Sequence, residues 1–283
     1  MPSLFQHLLL ATEHSEFDAG AERLALALAH RCHLPLGCVL PLTSNPEFEA
    51  VAPELATRVD MQAAATIAKL HDIAQTQGVH LAMHARRGLE PYREIVDEAR
   101  ERHSELLIIR RRGQRSFLAK LLLGEMVSKV VAHAPCHVLV VPREAQMWSH
   151  RVLVAAEPGA EGERIVQLAC EVAAECGLPL HVLSVSDDSA AARAQADSFI
   201  QSAVAQARQR GLQAEGEALA GKPVELILRT AQARGADLLV IGSRSHSGLS
   251  HVWIGGVAQK LIGLTSCPVL LAHPPQPPTS ETS

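Results

Sequence analysis

The sequence predicts an α/β protein made of two tandem domains, each with a five-stranded parallel sheet flanked by helices. Short apolar runs, such as residues 106–109 and 238–241, alternate with longer segments whose apolar residues recur at helical spacing. The two halves of the 283-residue chain also match each other in order. Strands that alternate with helices form parallel βαβ units, and strands that are apolar throughout fit a sheet covered on both faces.

Internal repetition sets the expected domain limits. Residues 7–42 align with residues 151–186 at a constant offset, so that the segment CHLPL at 32–36 matches CGLPL at 176–180. The match continues through each half with only short gaps. We therefore expect one domain at residues 1–145 and another at residues 149–273. The remaining residues, 274–283, are rich in proline and serine and are expected to form a disordered tail.

The second half gives the order of the elements most clearly. Its predicted strands are residues 151–155, 180–185, 214–220, 238–241 and 268–272. Its predicted helices are residues 161–176, 190–210, 224–234 and 257–264. Gly177 and Gly211 end the first two helices, because glycine readily adopts the left-handed conformation that follows a helix. Ligands of such sheets bind beyond the carboxyl ends of the strands, so the loops after the first and fourth strands are the candidate site loops.

Composition excludes several classes of protein. Hydrophobic residues make up 47% of the chain, which is enough for a core and excludes a disordered protein. The net charge of −4 and the 3% of aromatic residues argue against a nucleic-acid partner. No apolar run approaches the ~20 residues of a membrane span, and the first residues do not form a secretory signal, so a cytoplasmic location is expected. The six cysteines include no CxxC pair and are expected to be buried thiols.

The loop after the fourth strand of the second half has the composition of an anion site. It reads GSRSHSGLSHVWIGGV over residues 242–257 and runs directly into a helix. The N–H groups of Gly256, Val257 and Ala258 at the start of that helix can bind an anion, and Arg244 can add charge. A bound phosphate and a flexible solvated loop both fit this composition.

This loop resembles the phosphate loop of the universal stress proteins, whose pattern is G-x2-G-x9-G-[S/T]. The resemblance covers both halves, and it includes a Cys-Pro-Val-Leu ending at 267–270 and an acidic residue after the first strand, at Glu13 and Glu157. It implies two Rossmann-like domains of the adenine nucleotide alpha hydrolase-like type. It also implies that the domains pair through their last strands as an internal pseudo-dimer, and it makes a homodimer plausible.

The second half keeps most of this pattern. Gly242 and Gly255 match the first and third glycines, whereas Ser245 replaces the second glycine and Gly256 replaces Ser/Thr. Glu157, in place of the usual aspartate, is expected to orient the base or the ribose. His246 and His251 could also contact the ligand. The nucleotide-binding residues that the resemblance implies are Ala155, Ala156, Glu157, Val185, Ile241, Gly242, Arg244, Ser245, Gly255, Gly256, Val257 and Ala258.

The first half departs further from the pattern. Arg110 replaces the first glycine, and Glu125 places a carboxylate at a helix N-terminus, where it would repel phosphate. The four arginines of this loop could bind another anion or an acidic partner, or could form a solvated basic loop; they are Arg110, Arg111, Arg112 and Arg115. A weaker anion site is therefore expected at Glu13, Arg110, Arg112, Gly113 and Gly124. The strand-end contacts of this half would be Ala11, Thr12 and a position near Leu40.

Three functions remain open on the sequence. The favoured one is a cytoplasmic stress-response protein that binds an adenine nucleotide, ATP with or without magnesium, mainly in its second half as a sensing or regulatory event. The alternative is a nucleotide-free interaction module whose first half binds a partner protein, a metal or another anionic ligand. The third is a slow ATP hydrolase, although the sequence contains no P-loop, G-x-G-x-x-G or G-x-S-x-G motif and no catalytic residue is assigned. The 15 histidines show no recognised metal-site spacing, so no metal site is assigned either.

Overall fold

A computed structural model describes residues 4–44, 51, 53–111, 124–243 and 254–273. The chain divides into two compact units. The first domain comprises the described residues from 5 to 147, and the second comprises those from 148 to 273. The expected tail, 274–283, lies outside the described residues.

The first domain is a parallel sheet in the order β3-β2-β1-β4-β5. Its strands are β1 (Leu8–Ala11), β2 (Leu36–Thr43), β3 (Leu81–Gly88), β4 (Leu106–Arg110) and β5 (His137–Val141). Its helices are α1 (Ala19–Cys32), α2 (Pro53–Thr76), α3 (Pro91–Glu101) and α4 (Glu125–His133).

The second domain repeats this topology, with a parallel sheet in the order β8-β7-β6-β9-β10. Its strands are β6 (Val152–Ala155), β7 (Leu180–Ser186), β8 (Ala214–Ala220), β9 (Leu238–Gly242) and β10 (Val269–Ala272). Its helices are α5 (Ala160–Cys176), α6 (Ala190–Gln209), α7 (Pro223–Ala233) and α8 (Gly256–Leu264). The predicted fold class, two α/β domains with parallel sheets, is confirmed, and each predicted bound in this domain lies within one residue of the observed one.

The core of each domain lies on both faces of its central strands. Leu9, Leu107 and Leu153 have no exposed surface, as expected of parallel strands covered by helices on both sides. No disulfide joins any of the six cysteines, and four of them are buried as expected, whereas Cys32 and Cys176 are only partly buried. Burial raises the pKa of the Cys136 thiol to about 12. None of the described helices is long and apolar enough to cross a membrane.

The register of the central strands fixes which residues of the two domains are equivalent. Ala11 on β1 is paired with Ile109 on β4, and Ala155 on β6 is paired with Ile241 on β9. The next residue of each fourth strand is therefore an equivalent position at the carboxyl edge of the sheet. That residue is Arg110 in the first domain and Gly242 in the second.

Candidate functional site

A pocket lies at the carboxyl ends of β6, β7 and β9 in the second domain. The space between its walls, counted out to open solvent, is about 730 Å³. Strand β6 lies at the centre of the sheet, between β7 and β9. The strand order reverses at this strand, and ligands of such sheets usually bind at that point. The lining residues are Ala155, Ala156, Glu157, Glu161, Gly162, Ile165, Val185, Pro223, Ile227, Ile241, Gly242, Gly255, Val257, Ala258 and Leu261.

Most of the residues implied by the resemblance meet at this pocket. The predicted residues that line it are Ala155, Ala156, Glu157, Val185, Ile241, Gly242, Gly255, Val257 and Ala258. Gly256 begins α8 between two of these residues. Arg244, Ser245, His246 and His251 lie outside the described residues.

Sequence reasoning missed the pocket walls that the helices supply. Ile165, Ile227 and Leu261 follow helical apolar spacing, and that pattern is the same for a residue facing the core and for one facing a pocket at its edge. Glu161, Gly162 and Pro223 were also missed. The sequence feature that could have indicated this wall of the pocket is Gly162, because a glycine inside a helix often marks a place where another backbone segment comes close. A Cβ at this position would overlap the carbonyl oxygen of Glu157.

The N-terminus of α8 supplies hydrogen-bond donors at the edge of the pocket. Gly255 is the N-cap residue, and its carbonyl oxygen accepts the first helical hydrogen bond from Gln259 at 3.0 Å. The N–H groups of the following turn have no partner within the helix, and they are suited to an anion. Ser243, which is buried, precedes this turn, and its hydroxyl has no hydrogen-bond partner in the part of the chain that the structure describes.

The charged groups at the pocket are acidic. Among the described lining residues, the ionisable side chains are those of Glu157 and Glu161. Gly162 lets the first turn of α5 pack against the backbone of Glu157, and both residues line the pocket. Since none of these described lining residues is basic, a phosphate held here needs positive charge from elsewhere.

The equivalent place in the first domain is much smaller, at about 270 Å³. Each residue that lines it is the repeat equivalent of a residue lining the larger pocket, for example Pro41 for Val185 and Ile95 for Ile227. The full set is Ala11, Thr12, Glu13, Asp18, Pro41, Ile95, Ile109, Arg110, Met126 and Val127.

Arg110 fills this space rather than facing solvent. Its guanidinium donates at 2.6 Å to Asp18 and at 2.7 Å to both Glu13 and Ser15. The Arg110 side chain is 5% exposed and that of Asp18 is 1% exposed. Burial lowers the pKa of Arg110, but Asp18 and then Glu13 more than offset this, so the net shift is upward.

This geometry corrects two expectations about the first domain. Arg110 was expected to bind an external anion or to belong to a solvated basic loop, yet its two terminal nitrogens donate to Asp18, Ser15 and Glu13 of its own domain. Its buried Nε has no hydrogen-bond partner among the described residues. Glu13 was expected at a weaker anion site, yet it accepts a hydrogen bond from Arg110. Gly124 is the N-cap residue of α4, as Gly255 is of α8. Arg112, Gly113 and Arg115 lie outside the described residues.

Other polar residues near the first-domain site form local networks. Glu22 accepts a hydrogen bond from the Thr12 hydroxyl at 2.6 Å and lies 3.1 Å from the His14 ring. Within the described residues, no group of three or more His, Cys, Asp or Glu side chains has the arrangement of a metal site.

Comparison with known proteins identifies the family. The model of the universal stress protein family matches residues 4–142 and residues 149–273. The chain belongs to the universal stress protein family. The two matched segments correspond to two tandem universal stress protein domains.

Curated relatives carry the same family name. A universal stress protein of Synechocystis is 28% identical over 166 residues, which are 59% of this chain and 57% of the relative. One from Bacillus subtilis is 39% identical over 75 residues, 26% of this chain and 51% of the relative, so the matches span about half the length of these relatives. A solved universal stress protein from Archaeoglobus fulgidus covers 96% of this chain and 98% of its own, at 18% identity and a TM-score of 0.73, which shows the fold.

Proposed function

We propose that this tandem universal stress protein binds an adenine nucleotide, ATP, in its second domain, and that binding is a sensing or regulatory event rather than a step of catalysis. The observation that carries the proposal is the open second-domain pocket, which ends at the N-terminus of α8. A cytoplasmic location belongs to the same proposal.

The pocket offers different surfaces to the parts of a nucleotide. Ile165, Val185 and Ile227 form an apolar wall against which the base can pack. Glu157 accepts hydrogen bonds from the ribose hydroxyls or the base. The first-turn N–H groups of α8 bind phosphate oxygens, with Arg244 or a magnesium ion supplying the positive charge that the two glutamates require.

Gly255→Asp tests this proposal with little risk to the fold. The backbone of Gly255, at φ −59° and ψ 142°, suits aspartate, which is a favoured N-cap residue. The new carboxylate would take the N–H groups of α8 and repel phosphate. We expect ATP to bind the wild type at about one molecule per chain, and the variant about tenfold more weakly or worse, on the order of 1.4 kcal/mol or more.

The chain offers a matched control for this experiment. Gly124 caps α4 at φ −56° and ψ 141°, so Gly124→Asp places the same charge on the same backbone in the first domain. Calorimetric titration with ATP should give the wild-type affinity for this control. Nucleotide released from freshly purified protein by denaturation gives an independent count. No binding at millimolar ATP would overturn the proposal.

A second candidate function is an interaction module in the first domain. The observation that favours it is a set of exposed apolar side chains on and just before α2, namely Val51, Leu55, Val59, Met61 and Ile73. Three of them recur at every fourth residue and so share one helix face. If this face binds a second copy of the chain, Leu55→Lys with Val59→Lys lowers the mass measured by light scattering, whereas Ala64→Lys with Ala65→Lys leaves it unchanged.

A further inference from the structure

The first domain contains the counterpart of the second-domain pocket, and two glycines of that pocket are replaced there by charged residues. Arg110 stands at the position of Gly242, since each is the last residue of the fourth strand in its domain. The other walls are retained as apolar residues, such as Ile95 and Met126. Four of the ten lining residues are identical in the two domains, and among the six that differ, Asp18 and Arg110 are the replacements that introduce charge.

The second replacement lies opposite the first. Asp18 and Gly162 lie the same number of residues before the left-handed residue that ends the first helix of each domain, His33 or Gly177. Both line the pocket of their own domain. Asp18 thus stands where the second domain has Gly162.

The two new side chains neutralise each other inside the pocket. Arg110 donates to Asp18 at 2.6 Å, and both side chains are almost fully buried. A buried charge without a partner is costly, so each replacement fits the site only together with the other. Glu125, which the sequence placed at the phosphate position, does not contribute to this closure, because its side chain is 83% exposed and pairs with Lys129.

We infer that the first domain retains a latent adenine-nucleotide pocket that the Asp18–Arg110 ion pair closes, and that these two side chains decide that the chain has one nucleotide site rather than two. This inference rests on the nucleotide function proposed for the second domain. In this inference, the two side chains occupy the space that a ligand would otherwise fill.

Restoring the two glycines tests the inference. Asp18→Gly with Arg110→Gly is made in a chain that also carries Gly255→Asp, which weakens the second-domain site, and its ATP binding is compared with that of the Gly255→Asp chain. Equilibrium dialysis with ATP should then count about one site per chain more than in that background. Asp188→Ala with Arg193→Ala in the same background is the control, since it removes an exposed ion pair of the second domain and should create no site.

The outcomes separate this inference from the proposed function. A wild-type chain that binds no ATP contradicts the function proposed for the second domain and leaves the triple variant as an independent count. A triple variant that is folded and binds no more ATP than the Gly255→Asp chain overturns the inference, whatever the wild type does. If the glycine variant fails to fold, Asp18→Ala with Arg110→Ala removes the same pair with less backbone freedom, and the same count decides.

Discussion

Asp18 and Arg110 form an ion pair whose two members have lost nearly all contact with water. Breaking such a pair from one side leaves the other charge buried and unpaired, which typically costs about 3–5 kcal/mol. We therefore expect Arg110→Ala to lower the free energy of unfolding by roughly that amount. Adding Asp18→Ala should recover part of the loss. Urea denaturation of the two single variants and the double variant measures the coupling.

The control for this double-mutant cycle is the exposed ion pair of Asp188 and Arg193. The coupling energy between these two side chains should be about 0–1 kcal/mol. A coupling of that small size between Asp18 and Arg110 would contradict the description of a buried ion pair that fills the first-domain site.

His181 is another buried ionisable residue, and its contribution to folding stability depends on pH. Its ring is 1% exposed and lies 3.0 Å from Glu217. Burial lowers the pKa of His181 below 6.5, and Arg234 lowers it further, whereas Glu217 only partly offsets this. The unfolded chain therefore binds this proton more readily than the folded protein. The stability that neutral His181 contributes is present above pH 6.5 and declines as the pH falls below it.

We expect the melting temperature of the wild type to fall between pH 7.5 and pH 5.5, and His181→Gln to reduce that fall. Circular dichroism at the two pH values checks this. His71→Gln, at an exposed position of α2, is the control and should leave the pH dependence as it is in the wild type. If His181→Gln has the same pH dependence of the melting temperature as the wild type, His181 is not the group responsible for it.

Some site residues could be found from the sequence and others could not. Gly242 and Gly255 were predicted because their spacing in a glycine-rich loop is itself the signal. Asp18 was not, because an acidic residue before a helix is expected to cap it. Asp18 does occupy the N-cap position of α1, but its side chain makes no capping hydrogen bond and accepts hydrogen bonds from Ser15 and Arg110 instead. The contact with Arg110 joins two positions far apart in the chain, which no local pattern reports.

At the scale of the element, the helices of the second domain end within one residue of their predicted ends, and the first helices of the two domains end at residues of different type. Gly177 ends α5 at φ 66°, whereas the equivalent residue of α1 is His33 at φ 55°. The left-handed conformation costs a residue with a Cβ about 1–2 kcal/mol. We therefore expect His33→Gly to stabilise the first domain by about 1 kcal/mol, measured by urea denaturation.

Gly177→Ala supplies the reverse experiment at the equivalent position and should destabilise by a similar amount. No atom lies within 4 Å of a Cβ built at Gly177, so the change in that variant reports backbone conformation rather than crowding. If both variants leave stability unchanged, the left-handed residue does not limit either helix.

The elements themselves were predictable because their apolar patterns are regular and every helix is bounded by a recognisable turn. What the buried face of each helix contacts was less predictable. Ile165 and Ile227 line the pocket, yet they follow the same helical periodicity as core residues nearby. Periodicity gives the buried side of a helix but not whether that side meets another side chain or an empty space.

At the scale of the whole molecule, the tandem repeat was visible in the sequence because the first segments of the two halves align without a gap. The sequence also favoured the second half as the nucleotide site, but it did not show that Arg110 of the first half pairs with Asp18 in the folded domain. The pairing of the two domains through their last strands stays a prediction.

Magnesium should govern how tightly the whole chain binds ATP. Glu157 and Glu161 are the ionisable side chains among the described lining residues, so a polyphosphate enters an acidic pocket. A magnesium ion bound to the phosphates reduces that repulsion. We expect removal of magnesium with a chelator to weaken ATP binding about tenfold, on the order of 1.4 kcal/mol, and to leave adenosine binding unchanged.

Glu161→Gln distinguishes this electrostatic account from a purely structural need for the metal. The substitution keeps the shape of the side chain and removes one of the two charges, so the ratio of ATP affinities with and without magnesium should decrease. Gln167→Glu, on an exposed part of α5, adds a charge away from the lining residues and should leave the ratio unchanged. Equal ATP affinities with and without magnesium in the wild type would mean that positive charge of the protein itself, such as Arg244, balances the phosphates.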